Sequence, residues 1–426
     1  MMIKKLAPVI VAIMSITFFG CGEKVAPDPV ALCREAAEKG DANAQYELCI
    51  RHTNGDGVEK DIDEAIKWCH KAVEQGHSKA VEWYTTMAES GNIQVQYNLA
   101  GCYYNGIGVT VDHYAAIKWY RKAADDGHIE AQYYLGCCYY SSKRVPKNHA
   151  LSVKYWTLAA DKGYIPAQYD LAWCHFRGTG TKQNSAKAMK YWKMAAKQGY
   201  VKAMHAIADC YYNGDGVKQD YNQAADWYRQ AAELKYPNSQ DALGLCYLYG
   251  HGVEKDVTQA MEWMYKAADQ GFAKAQYDIG WCYFETGDKQ EAWNWFTKAA
   301  NAGYAKAQYD IGLCYQYGFI VEKNRSIAFE NYRKAADMGF APAQYRLGNC
   351  YYNGIGCEKN ESEAFHWYLK AAKKGYEPAQ TSVGHCYQLG DGVTQNRTEA
   401  LRWFRRASKQ KPIDDNEELK RFKSKK

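Results

Sequence analysis

Ala131 to Tyr140 reads AQYYLGCCYY, and Ala343 to Gly356 reads AQYRLGNCYYNGIG. The same stretch returns at Val95, Ala131, Ala167, Ala203, Ser239 and Ala275, each 36 residues after the last; Ala307 follows after 32, and Ala343 and Ala379 restore the 36. A fixed period between about 20 and 50 residues marks a solenoid of stacked units, and it displaces the three globular domains that length alone would suggest. Counting the first residue of each unit as offset 0, apolar and small residues sit at offsets 0, 4, 7 and 8, and again at 21, 24, 25, 28 and 29, as in Ala116, Trp119, Tyr120, Ala123 and Ala124. Both sets are the stripe of an amphipathic helix. A glycine turn such as Asn105-Gly106-Ile107-Gly108-Val109 separates them, and Gly127, Gly163, Gly199, Gly271, Gly303, Gly339 and Gly375 stand where the second helix must end in a left-handed residue. Each repeat is therefore predicted to be an antiparallel pair, helix A followed by helix B.

The motif A-x-x-x-L-G-x-x-Y-x-x-G-x-G-V followed by A-x-x-W-Y-x-K-A-A-x-x-G recurs about ten times between Val30 and Ser408. It resembles the Sel-one-like repeat family, relatives of the tetratricopeptide repeats. The resemblance implies an all-α fold, a right-handed α-solenoid of antiparallel helix pairs with 36-residue repeats. It also implies a concave face, lined mainly by A helices, that holds partner proteins. Glycines such as Gly136, Gly244, Gly280, Gly312, Gly348 and Gly384 allow the close helix approach this needs.

Three places break the period. Val30 to Gly40 has B-helix spacing with no A helix before it, and reads as an N-terminal cap. Ala44 to Gly76 is a full repeat, but fifteen residues too many separate it from Val95; Ala80 to Gly91 matches the B pattern alone, so residues 77–94 are expected to be irregular, with a kink or register change. The repeat from Ala275 has lost four residues at its turn, leaving Thr286-Gly287-Asp288 as a tight link that should not disturb the fold.

Lys4 and Lys5 precede an apolar run from Leu6 to Phe19 that ends at Gly20 and Cys21. Fourteen residues at about 1.5 Å each cover about 21 Å, too short for a hydrocarbon core of about 30 Å, so residues 1–20 read as an export signal. Cysteine after a small residue resembles the lipobox of bacterial lipoproteins, although Phe18 and Phe19 depart from its usual Leu and small residue. The resemblance implies acylation of Cys21, with residues 21–29 as a lipidated tether and the lipid as the only hold on the membrane. An ordinary cleaved signal with an incidental cysteine is the alternative. The expected location is the cell envelope, periplasm-facing or on the outer-membrane surface.

A composition of 47% apolar, 24% charged and 15% aromatic residues supports a packed core rather than disorder. The formal charge is +6, but Lys4, Lys5 and a basic tail of residues 409–426 supply nearly all of it. A repeat body close to neutral makes a nucleic-acid partner unexpected. Nine of the fifteen cysteines recur at offset 7: Cys102, Cys138, Cys174, Cys210, Cys246, Cys282, Cys314, Cys350 and Cys386. Stacked helices lie about 8–10 Å apart, beyond the ~7 Å Cα limit of a disulfide, so these are expected to be buried thiols. A cysteine-rich bacterial branch of the family has two bridging cysteines per repeat; with one per repeat that pattern does not carry over. Cys33, Cys49 and Cys69 are the ones close enough in sequence to consider for pairing.

The G-x-G turns follow helices, not strands, and read as connectors rather than phosphate loops. The histidines, among them His70, His113, His175 and His366, show no paired metal spacing and are expected to be exposed or half-packed; neither metal nor cofactor is implied. Relatives of the cysteine-rich branch imply the alternative of a secreted, β-lactamase-like hydrolase. The sole Ser-x-x-Lys, Ser408-Lys409-Gln410-Lys411, lies at the end of the array and reads as chance, so the chain is not expected to be an enzyme.

On helix A, offsets 3, 6 and 10 vary most between repeats and fall together away from the apolar stripe. They carry Asp170, Trp173 and Arg177; Leu245 and Tyr249; Asp278, Trp281 and Glu285; and Asp310, Leu313 and Tyr317. Aromatic groups rimmed by charge are the material of interface hot spots, so these residues are the candidate site for a protein or peptide. The competing reading is that they pack against the neighbouring A helix. The tyrosines at offset 2 recur too regularly to select a partner and are expected to pack between repeats.

Overall fold

The computed structural model describes residues 28–141, 145–410 and 417–423; the export signal and Cys21 lie outside them. Every regular element among the described residues is an α-helix, twenty-three in all: ten consecutive A–B pairs, with Pro29–Glu38, Ser78–Glu89 and Glu417–Lys423 outside them. None of these helices is long and apolar enough to cross a membrane. The chain divides into two compact units, with the boundary between Ala159 and Ala160 inside the His149–Asp161 helix.

The turn chemistry sets the helix ends. Helix A Ile93–Asn105 stops at Gly106, whose φ of 76° is the left-handed conformation and whose N–H donates to the Cys102 carbonyl. Helix B His113–Asp125 starts at Asp112, whose carboxylate accepts from the N–H groups of Tyr114 and Ala115 at 2.9 and 3.0 Å. An Asp or Asn repeats this cap at 184, 220, 256, 324, 360 and 396. In most A helices the capping carbonyl belongs to a ladder cysteine, as at Gly214 to Cys210 and Gly250 to Cys246, whereas Gly287 of the shortened repeat donates to Phe284 and Tyr283.

A buried polar ladder joins one repeat to the next. Gln96, Gln132, Gln240 and Gln344 at offset 1 donate through Nε2 to the carbonyls of Ala88, Ala124, Ala232 and Ala336 at 3.0 to 3.1 Å, closing the end of the preceding B helix. Offset-2 tyrosines pack between repeats as expected, on the ring that precedes the next A helix: Tyr169 on Tyr200 at 5.3 Å, Tyr277 on Tyr304 at 5.1 Å. In the first unit that ring is a histidine, Tyr46 on His77 and Tyr97 on His128.

Pro29–Glu38 is the helix that covers the first repeat, with Gln45 donating to its Ala37 carbonyl. The Ser78–Glu89 helix does two jobs. It begins as an A helix, capped by His77 and with the Ala80 carbonyl facing Cys69, as that of Ala44 faces Cys33. It ends as a B helix, with the Ala88 carbonyl taking Gln96. Ala80 stands 36 residues after Ala44, so the B-only reading is corrected: one helix serves as A to the repeat before and B to the repeat after.

Cys33, Cys49 and Cys69 carry free thiols and form no disulfide with one another, and the nine ladder thiols are buried. Burial pushes the thiols up, to about 12 for Cys174, Cys210, Cys246 and Cys282. A thiol held that far from ionisation is a packing group rather than a nucleophile. His175 is also buried, stacked on Tyr191 at 6.0 Å, and burial lowers its pKa; the expectation of a half-packed side chain is corrected there. His366 is exposed, and His70 and His113 are half-buried.

Candidate protein-binding site

The candidate residues occupy the helices Ile165–Arg177, Pro237–Tyr249, Ala273–Thr286 and Ala305–Tyr317, all in the second unit. Their burial differs sharply. Trp173 is half-buried, edge-on to Trp192 at 5.0 Å and Phe176 at 5.6 Å, and the exposed Arg177 lies 4.5 Å above its ring. Asp170 and Leu245 are half-buried and Tyr249 is 51% exposed. Leu313 and Asp310 are wholly interior, and Asp310 accepts from the Tyr277 hydroxyl at 2.6 Å. Tyr317 is half-buried and stacks on Phe319 at 5.7 Å.

Asp278 belongs to a charged cluster rather than to an open rim. Lys274 bridges it, at 2.7 Å, to the buried Asp241 of the preceding A helix, at 2.5 Å. Burial and the Asp278 charge push the Asp241 carboxyl up to about 7, against the attraction of Lys274. Such a pair fixes the register of two A helices, and breaking it by removing one partner leaves a buried charge.

Trp281 is only 2% exposed, and part of what covers it comes from far along the chain. The tail segment Glu417–Lys423 is a helix whose Phe422 is fully buried. Its ring lies 4.7 Å from Trp281, 5.2 Å from Phe284 and 5.2 Å from Phe319, the last pair nearly parallel at 9°. Arg421 places its guanidinium 3.8 Å above the Trp281 ring and pairs with Glu285 at 2.6 Å. Three of the predicted residues, Trp281, Glu285 and, through Phe319, Tyr317, thus gather around a segment that in sequence reads only as a basic tail. The available signal was one phenylalanine within a run of charges.

The seat for Phe422 follows from local departures in this repeat. In two other repeats a B-helix tyrosine at offset 25 hydrogen-bonds a polar group at offset 6, Tyr228 to Asp209 at 2.6 Å and Tyr368 to Asn349 at 2.7 Å. Here the two positions are Phe296 and Trp281, which offer an apolar surface instead. In other repeats the second turn glycine crowds the start of the preceding B helix; a Cβ on Gly356 would sit 2.1 Å from the Arg325 carbonyl oxygen. With four residues missing between Ala273–Thr286 and Lys289–Asn301, the corresponding position holds Ile320, and Phe319 before it turns onto Phe422.

Ser408, of the sole Ser-x-x-Lys, donates its hydroxyl to the Arg405 carbonyl at 3.2 Å. Among the described residues no cluster of three or more His, Cys, Asp or Glu is placed to hold a metal.

The Sel1 repeat model matches eleven segments, residues 42–77, 77–92, 93–128, 129–164, 165–200, 201–236, 237–272, 273–304, 305–340, 341–376 and 378–412. The additional short match, 77–92, is the dual-purpose helix. Among solved structures, the chain is similar to c5321, a protective antigen present in uropathogenic Escherichia coli strains, at 30% identity over 93% of this chain and 89% of that one, with a TM-score of 0.53. It is also similar to a Sel1 repeat protein from Oxalobacter formigenes, at 30% identity over 85% of this chain and 91% of that one, with a TM-score of 0.46. No curated protein matches it in sequence. Repeats of this kind generally mediate protein–protein interactions, and the fold is typically a non-enzymatic scaffold. With matched repeats running from residue 42 to residue 412, the chain belongs to the Sel1 repeat family.

Proposed function

We propose that this protein is a non-enzymatic scaffold of a bacterial cell envelope, held to the membrane by acylated Cys21, that binds a partner protein or peptide on the face formed by its A helices. The observation that carries the binding part is the packing of Glu417–Lys423 on that face, since a surface that seats one helical segment from outside the array has the shape and chemistry to seat another. The half-buried Trp173 under Arg177 offers a second aromatic anchor of the same kind. The anchoring part rests on the basic flank, short apolar run and Gly20-Cys21 of the sequence.

A photoreactive residue at position 177 or 249 on helix A, and at the exposed position 366 on helix B, tests the binding face in intact envelopes. One discrete crosslinked partner at 177 or 249 and none at 366 is the expected result; equal labelling at all three positions would refute the face. Palmitate labelling that disappears in Cys21→Ser supports the anchor, and an unmodified Cys21 in the mature protein would remove it. Turnover of a β-lactam or peptidoglycan substrate by the purified chain would contradict a pure scaffold.

A further inference from the structure

Repeats in a solenoid touch their neighbours and little else, because each unit is covered by the next. The Arg421–Glu285 pair joins positions 136 residues apart, so the segment carrying Arg421 and Phe422 is not covering an open end of the array. It lies on a repeat that carries Trp281 and Phe296 at offsets 6 and 25, whose turn is shortened, and whose successor carries Ile320 where most turns keep their second glycine. None of these departures is needed to stack helices. Together they make an apolar seat for one aromatic ring, with Glu285 at its rim for a cation and the Trp281 face for a guanidinium.

We infer that this seat is a receptor for a basic-aromatic peptide segment, an arginine followed directly by phenylalanine with lysines on either side, and that the chain's own Lys420-Arg421-Phe422-Lys423 is its resident occupant. A seven-residue helix has too few turns to be stable alone, so the segment is ordered by the seat and is free to leave it. Its covalent attachment to the array keeps it at a high effective concentration, which a partner must overcome. The occupant therefore selects partners: a peptide that presents the same arginine and ring competes, and one that presents charge alone does not. This deepens the proposed scaffold function and rests on the A-helix face being the binding face.

The test is a titration of the full chain with a fluorescent peptide of residues 414–426, DDNEELKRFKSKK, read by anisotropy. The expected affinity is at least about tenfold higher for the Phe422→Ala chain than for the wild type, since the tethered competitor has lost its ring. The same peptide with its phenylalanine replaced by alanine should lose binding to the Phe422→Ala chain. If that chain folds poorly, Arg421→Glu keeps the ring, weakens the internal contact and should give a smaller gain. Equal affinity for wild type and Phe422→Ala, or no binding to a Phe422→Ala chain with a wild-type melt, would overturn the inference and leave the segment as a structural patch. A peptide that still binds without its phenylalanine would equally overturn it, as attraction of charge alone. These outcomes are independent of whether an envelope partner crosslinks at positions 177 or 249, so failure here and failure of the proposed function are told apart.

Discussion

Trp173 and Trp281 occupy the same offset on A helices three repeats apart, and each has an arginine guanidinium over its ring, at 4.5 Å and 3.8 Å. The difference lies in where the arginine comes from. Arg177 is one turn along the helix that carries Trp173, so that ring is dressed by its own neighbour and its outer surface stays half open. Arg421 arrives with Phe422 from outside the array, and Trp281 becomes interior. One face of the molecule thus shows the same recognition chemistry in an open and a filled state. The filled state gives a picture of what the open one can hold.

The largest expected effect separates the two by stability. Trp281→Ala removes a fully packed side chain and should cost about 3–5 kcal/mol, whereas Trp173→Ala, at a partly exposed ring, should cost less, about 1–2 kcal/mol. Denaturant melts of the two variants check this, and equal losses would show that both rings are ordinary stacking core. On sequence alone the two tryptophans look interchangeable; the filled seat is what makes them differ.

Next in size is the release of the segment. Phe422→Ala gives up a fully buried ring worth about 1.5–3 kcal/mol of transfer, against a helix with little stability of its own. Trypsin should then cut at Lys420, Arg421 and Lys423 at least about tenfold faster than in the wild type, a factor of ten corresponding to about 1.4 kcal/mol, while cleavage beside Arg177 stays the same. Unchanged rates at the tail would mean that Phe422 does not hold the segment.

The smallest effect sharpens the comparison from beneath. Cys174 and Cys282 follow the two tryptophans directly, and burial pushes both thiols up to about 12. Thiolate is the reactive form, so at pH 8 both should resist alkylation in the folded chain and label fully in denaturant. In Phe422→Ala, Cys282 should label a few-fold faster and Cys174 at its former rate, read by mass spectrometry of the two peptides.

Much of this was legible in the sequence because it is periodic. Gly106 and Gly127 announced helix ends from their place in the repeat, and the ladder cysteines announced burial from offset 7. The dual role of Ser78–Glu89 was readable too, since Ala80 is in register with Ala44, but the B-like stripe of Tyr84 and Ala88 hid the A-like start. The offset-1 glutamines carried a signal that hydrophobic periodicity passes over, because their bonds run to backbone carbonyls and not to another patterned side chain. Phe422 could not be read this way. Its partners lie outside any repeat spacing, and nothing local distinguishes it from an aromatic residue in a solvated tail. Asp310 and Leu313 show the reverse limit: variable between repeats, they are nevertheless interior, because variability at offsets 3 and 6 here reflects what each seat must fit.

The most direct test places a photoreactive benzoylphenylalanine at position 285 or, in a second sample, at position 177 of the purified chain. Irradiation followed by peptide mass spectrometry is predicted to join position 285 to the peptide that contains Phe422 within a single molecule, and to give no such product from position 177. Absence of the tail peptide at 285, or its appearance at both positions alike, would contradict a seat at Trp281 filled by the chain's own segment.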